Sequence, residues 1–399
     1  MKNCRCIQIA LFTIIISLIV SCQLQEVPFT NVLVGITLPE DALQAGKDGY
    51  IIVLTNIATG RKQIDTTDIT GQISLKAEEG VYNVEVTAIK TLTTTVTNGS
   101  SQQTYTQEVE IRGLTEKALV TGEQVELNVD LLIAQKGNGF VIQEVYYTGS
   151  NTPANGNYYQ DQYIEIYNNT DSVLYADGLS VAESNHLNTL SIPEYANYPN
   201  DLIVGAIYTI PGDSNDYPVL PGKSIIVASL GINHKTANAN SPADLQKADF
   251  EWFDAGKDVD VPEVPNMIRN FCYSNTIWVL HTRGGHAYAI FKAPGNYTDF
   301  VTQNTVSILT ASGSSVPRVK VPNSLILDAV DLGLGGIIGS KSLSSAIDVS
   351  FTYCDASYSG KSVRRKVLKW ENGRAILQDT NNSAKDFIPN ATPKPWEAE

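Results

Sequence analysis

Glu144 and Glu165 sit in two β-patterned runs, FVIQEVYY and QYIEIYNN. Two carboxylates on neighbouring strands can act as an acid and a base when their pKa values are driven apart. The same placement also suits carboxylates that accept backbone hydrogen bonds or pair with a cation such as Arg365, and that structural role is the expected one. Residues 244–263, DLQKADFEWFDAGKDVDVPE, hold seven acids against two lysines. Asp254, Asp258 and Asp260 are the calcium candidates there, because a hard cation takes several oxygens from a flexible loop. Their spacing matches no EF-hand, and the competing reading is a solvated acidic segment packed by Phe250, Trp252 and Phe253. Trp252 is also a candidate ligand contact, as are Tyr146, Tyr147, Tyr158 and Tyr159 around a Gly/Asn-rich loop, since these rings join a large apolar face to a polar handle. Cross-strand packing is the alternative use of the same residues. Arg364 and Lys366 share one strand face, with Arg365 on the other. They offer a contact for an anionic glycan or an acidic partner, or else protect an edge strand by charge.

Other constellations are thinner. His281 and His286 frame HTRGGH, which reads as a hairpin turning at Gly284-Gly285; zinc would need further ligands close by. There is no Gly-x-Ser-x-Gly elbow, and GGIIGSKS at 335–342 misses the phosphate-loop spacing. No catalytic residue is assigned, and no cofactor is expected beyond the calcium candidate. Cys272 and Cys354, in FCYS and TYCD, are expected to bridge in an oxidising compartment, two separate buried thiols being the alternative.

Lys2 and Arg5 precede an apolar run over residues 7–20. A bilayer-spanning helix needs about 20 such residues, so the run reads as the apolar region of a secretory signal. Ser21 directly before Cys22 resembles a bacterial lipobox. The resemblance implies removal of residues 1–21, acylation of Cys22 and a tether over 22–30. Each buried methylene contributes about 0.8 kcal/mol, so several acyl chains hold a chain to a membrane without a spanning helix. The 399 residues carry 28 Lys+Arg and 42 Asp+Glu, a net charge of −14, which opposes a general affinity for nucleic-acid backbones. A hydrophobic fraction of 43% excludes wholesale disorder.

The elements that must position these residues are strands. Residues 31–135 contain short runs such as NVLVGITL, YIIVLTNI and VYNVEVTAI, rich in Val, Ile, Thr and Tyr with period-2 alternation. The stretch TTDITGQISLKAEEGVYNVEV resembles transthyretin-like or carboxypeptidase-regulatory-like domains, which implies a stalk or presenting role. After a boundary at 136–139, residues 139–399 resemble the lamin-tail domain. The matching segments are Glu144, then YIEIYN at 163–168, Asp177-Gly178-Leu179, LPGKSIIV at 220–227, GKSVRRK at 360–366 and NNSAKDF at 381–387, with Thr392-Pro393. Against that pattern, residues 185–219, 231–270 and 294–345 are insertions. The expected fold class is all-β: two immunoglobulin-like antiparallel β-sandwiches in tandem, the second with long insertions.

Two accessory-type sandwiches behind a lipobox resemble an uncharacterised family of Bacteroidetes outer-membrane lipoproteins. That likeness implies a non-catalytic binding or accessory protein, lipid-anchored in the outer membrane and facing the periplasm or the cell surface. Its partners would be a TonB-dependent receptor or other surface lipoproteins. A structural or adhesin-like surface protein is the alternative, and a hydrolase with acids in the insertions is a third reading.

Overall fold

The computed structural model describes residues 28–98, 101–133, 139–190, 192, 194–310 and 313–398. Cys22 and most of the expected boundary at 136–139 lie outside them. Within the described residues the chain is built of strands, mostly in antiparallel pairs, with only short helical turns between them. It forms two compact units that interleave along the sequence: residues 46–87 and 114–131 cluster with the N-terminal strand, and residues 39–45, 88–113 and 132–399 form the other.

In the first unit Phe29–Thr37 pairs antiparallel with Gln72–Glu78 and parallel with Gln124–Asp130. A second sheet holds Lys62–Thr66, Ile51–Asn56 and the parts of two long strands that fall in this unit, residues 80–87 and 114–120. Alternation puts Val32, Val34 and Ile36 inside with Ile52, Leu54, Val84 and Val86, as period-2 patterning requires of a half-buried sheet.

The second unit is a sandwich of two larger sheets. One runs Phe250–Glu251, Ser224–Ala228, Tyr163–Asn168, Phe140–Tyr146, Ser362–Arg365, Phe387–Ala391. The other runs Thr305–Leu309, Ser315–Pro322, Asp201–Thr209, Ser180–Ser184, Ala287–Phe291, Ile326–Leu334, Thr352–Cys354. Side chains of both sheets meet in one core that includes Ile142, Ile164, Val181, Tyr208, Val227, Tyr288 and Val330. The outer faces are covered too. Residues 243–264 lay Ala243, Leu245, Ala248 and Val264 on Tyr146, Tyr163 and Ile226. Phe300, Leu343 and Ile347 pack on Val204, Ile207 and Phe291 of the other sheet. Strands such as Phe140–Tyr146 are therefore buried at every position. A sheet clad on both sides buries the solvent-facing half of its alternating pattern as well.

Burying the outer faces also buries charge. Arg365 lies under the Phe387 ring, 4.6 Å from its centroid, and is bonded to Asp328, the Ile142 carbonyl at 2.7 Å and the Gln378 carbonyl at 3.0 Å. Asp379 at 3.3 Å and Asp386 at 3.8 Å complete the ring of acids. Burial works against the charge on Arg365, yet the three carboxylates together raise its pKa above the ordinary arginine range. Burial pushes Asp328 up to about 7, with Arg365 pulling the other way. Nearby, Lys341 is 2% exposed and donates to the carbonyls of Leu343 (3.0 Å) and Asp348 (2.6 Å). Arg112, equally buried, donates to Thr380, Asn381 and Ala346 carbonyls. Removing one partner of a buried pair strands the other charge, so Arg365→Ala is expected to lower the unfolding free energy by about 3–5 kcal/mol in urea titrations.

Candidate binding cleft

A cleft of about 480 Å³ opens in the second unit between residues 185–198 and the antiparallel pair Thr305–Leu309/Ser315–Pro322. Thr305–Leu309, sequence TVSIL, is uncharged and β-branched, which suits a strand, and it is the terminal strand of its sheet. Register places Ile308 opposite Val316 and Val306 opposite Arg318, so these four share a face. The floor is a polar chain in which Arg318 Nε donates to Asn185 and Asn185 Nδ2 donates to Glu194 Oε1. The Arg318 guanidinium lies over the Tyr273 ring at 5.5 Å. Burial raises the pKa of Glu194, opposed by the Asn185 hydrogen bond and by Arg318. Around this floor, Leu190, Ile192 and Leu309 stand 50%, 72% and 75% exposed. An apolar rim over a few fixed polar groups is the make-up of a recognition site.

His186 forms part of the wall, with Nε2 2.8 Å from Ser340 Oγ. His286 Nδ1 lies 3.0 Å from the His186 carbonyl, and the His281 and His286 rings meet edge-on at 5.5 Å. Burial pushes all three down to about 4, and His286 adds charge repulsion on the other two. Among the described residues no group of three or more His, Cys, Asp or Glu is arranged to hold a metal. Gly284 does turn the chain, with its N–H bonded to the His281 carbonyl at 2.7 Å. The arm before it is not a strand, however, so the expected hairpin is absent. The Trp278 and Leu280 N–H groups are taken by the side chains of Asp254 and Gln162 instead.

The structure disperses the residues singled out in the sequence. Trp252 is 1% exposed, with its Nε1 on the Trp278 carbonyl and its ring 5.0 Å from that of Trp278; it is core, not a ligand contact. Tyr146 and Tyr147 are fully buried, donating to Asp161 and accepting from the Cys354 N–H respectively, which removes them as contacts. Tyr158 is half-buried against His234, its hydroxyl 2.7 Å from Nδ1, and Tyr159 is the exposed one of the four. Asp254 is closed off as a calcium ligand because Tyr208, Arg269 and the Trp278 N–H fill its oxygens at 2.6 Å each. Asp258 accepts from the Val259 N–H and Asp260 from Asn266, so the three do not converge.

Ser362–Arg365 is an interior strand between Phe140–Tyr146 and Phe387–Ala391, not an edge. Arg364 is buried beside Glu144 at 3.4 Å and is no surface contact, while Lys366 is half-buried and donates to the Lys385 carbonyl. Glu144 and Glu165 face each other in register. Glu144 accepts from Tyr163, Ser362 and the Lys394 N–H; Glu165 accepts from Ser224 and the Trp396 N–H. Burial, helped by Glu144, pushes Glu165 up to about 8. The pair ties down the C-terminal segment, with Arg364 rather than Arg365 as its cation. Cys272 and Cys354 are free thiols, not a bridge: Cys272 sits beside Tyr208 and Cys354 beside Tyr147 on a different strand.

The sequence pattern missed Asn185, Glu194 and Arg318, whose meeting across more than a hundred residues leaves no local signal.

The strands define an all-β protein whose chain falls into two compact units. Residues 220–394 match a family described as protein of unknown function (DUF4876). A crystal structure of a DUF4876 family protein from Bacteroides thetaiotaomicron is 24% identical, with a TM-score of 0.58 over 93% of this chain and 98% of that one, which shows a shared fold. A candidate adhesin from Bacteroides ovatus is 9% identical, with a TM-score of 0.22 over 77% of this chain and 90% of that one. No curated protein matches the chain.

Two measurements check the site chemistry. Peptides containing Cys272 and Cys354 should each take one alkyl label in denaturant without reductant. Because the three histidines have depressed folded pKa values, the unfolded chain binds more protons between about 6.5 and 4. Their contribution is present above that window and lost as pH falls through it. Replacing His286 by Asn should flatten the acid limb of the stability profile.

Proposed function

We propose that this chain is a non-catalytic binding lipoprotein of the cell envelope, held to the membrane through Cys22, with the cleft between residues 185–198 and Thr305–Leu309 as its recognition surface. One contrast carries the reading. The carboxylates Glu144, Glu165 and Asp254 are committed to internal hydrogen bonds and ion pairs, whereas the cleft presents Leu190, Ile192 and Leu309 to solvent. Catalysis needs titratable groups facing a substrate, and recognition needs exposed apolar anchors around a fixed polar floor. The resemblance to Bacteroidetes outer-membrane lipoproteins supports a TonB-dependent receptor as the companion. The uncharged terminal strand and its apolar neighbours equally suit an adhesin-like surface protein, the second reading.

The test is genetic complementation. Cys22→Ser should shift the chain from the envelope to the soluble fraction. A deletion strain should lose uptake of a nutrient if the protein serves a receptor, or attachment if it is adhesin-like. Wild type should restore the loss, and the double variant Ile192→Asp with Leu309→Asp should not. Full complementation by the double variant would contradict the cleft assignment.

A further inference from the structure

Asp331 lies on the Ile326–Leu334 strand and Lys341 on the loop that follows it. Both are buried, at 0% and 2% exposure, and Lys341 Nζ stands 3.8 Å from Asp331 Oδ2. That separation exceeds a hydrogen bond. The amine is aimed by other groups, donating to the Asp348 carbonyl at 2.6 Å and the Leu343 carbonyl at 3.0 Å. The two oxygens of Asp331 are held unequally. Oδ2 accepts from the N–H groups of Ser342 at 2.8 Å and Leu343 at 3.0 Å, while Oδ1 is buried without a hydrogen-bond partner. Burial pushes Asp331 up to about 6, with Lys341 pulling the other way.

As a lasting ion pair this arrangement is poor. A carboxylate and an ammonium taken out of water are compensated only by close, aligned contact, and here one carboxylate oxygen has no donor. As a reacting pair it has the parts it needs. Holding amine and carboxyl side by side replaces a bimolecular encounter. Two backbone N–H groups converge on one oxygen, the donor arrangement that stabilises a tetrahedral oxyanion. The loop is sealed by Leu343 and Ile347, 0% and 5% exposed, and a site closed to bulk water favours condensation over hydrolysis.

We propose that Lys341 and Asp331 join through an intramolecular isopeptide bond formed by the fold itself. The Lys341 ammonium gives one proton to Asp331 Oδ1, leaving a neutral amine beside a neutral carboxyl. Nζ attacks Cγ, and the negative charge that develops on Oδ2 meets the Ser342 and Leu343 N–H groups. The nitrogen then gives a second proton to Oδ1, the Cγ–Oδ1 bond breaks and one water leaves. No oxidant, reductant or cofactor is consumed. The oxygen expelled is the one that has no donor, and a neutral amide replaces two buried charges. The bond closes a ring over residues 331–341. Within it Ser340 donates to the Leu190 carbonyl at 2.7 Å and meets His186 Nε2 at 2.8 Å, so the ring fixes one wall of the cleft. The bond itself does not depend on what the cleft binds.

Tryptic mapping of the purified full chain, denatured before digestion, tests the proposal. Asp331 and Lys341 fall in one tryptic segment, 321–341, and the next cut comes at Lys361. An amidated lysine is not a trypsin site. Wild type should therefore give a single 321–361 peptide, lighter than its linear mass by one water, in place of the 321–341 and 342–361 peptides. Its fragment spectrum should lack breaks between 331 and 341, because a ring must be cut twice to release a piece. Lys341→Arg and Asp331→Ala should each give the two separate peptides at full mass. The wild-type digest decides on its own, whether or not the variants fold. Two separate peptides from wild type, a 321–361 peptide at its full linear mass, or the same mass deficit in Lys341→Arg would each overturn the assignment.

Discussion

The second unit depends on how one guanidinium is neutralised. Arg365 is buried at the meeting of the strand that carries it, the Ile326–Leu334 strand of the opposite sheet and the 378–386 turn, and Asp328, Asp379 and Asp386 come from the latter two. A charge removed from water is tolerated only where partners surround it in fixed positions. Three separate segments are thereby held to one geometry. Lys341 and Arg112 act similarly, each tying loop carbonyls into the interior. Apolar packing drives the assembly of such a sandwich, and these ionic and polar ties select one arrangement of its loops.

That arrangement separates groups that could react from groups that could recognise. Several connecting segments serve as cladding: residues 243–264 cover one sheet, and Phe300 with Leu343 and Ile347 covers the other. Aromatic and acidic side chains drawn into the cladding lose access to ligands. Among the groups that stay outside are a short apolar rim around the Asn185–Glu194–Arg318 floor and the Trp370 side chain.

Much of the strand content was legible, because VYNVEV and YIEIYN alternate or run apolar in ways only strands use. The structural role of Glu144 and Glu165 was legible too, although the cation proved to be Arg364. Burial of Trp252, Tyr146 and Tyr147 was one of the two uses the sequence left open. For Tyr146 an alternating strand and a doubly covered one look alike until the covering segment is known, and here it lies about a hundred residues downstream. The basic run at 364–366 misled for the same reason, since charge that protects an edge and charge that is neutralised inside have the same composition. The Asn185–Glu194–Arg318 floor is a product of tertiary packing alone.

The acids whose placement most suggests chemistry, Glu144 and Glu165, act as structural members of the fold. Calorimetric melting of Glu144→Ala measures what that role contributes. Removing this carboxylate leaves Arg364 uncompensated and Tyr163 and Ser362 without their acceptor, a loss of about 3 kcal/mol or more. In a unit of about 300 residues that lowers the melting temperature by roughly 5 °C. A variant that melts with the wild type while losing a biochemical activity would contradict the account.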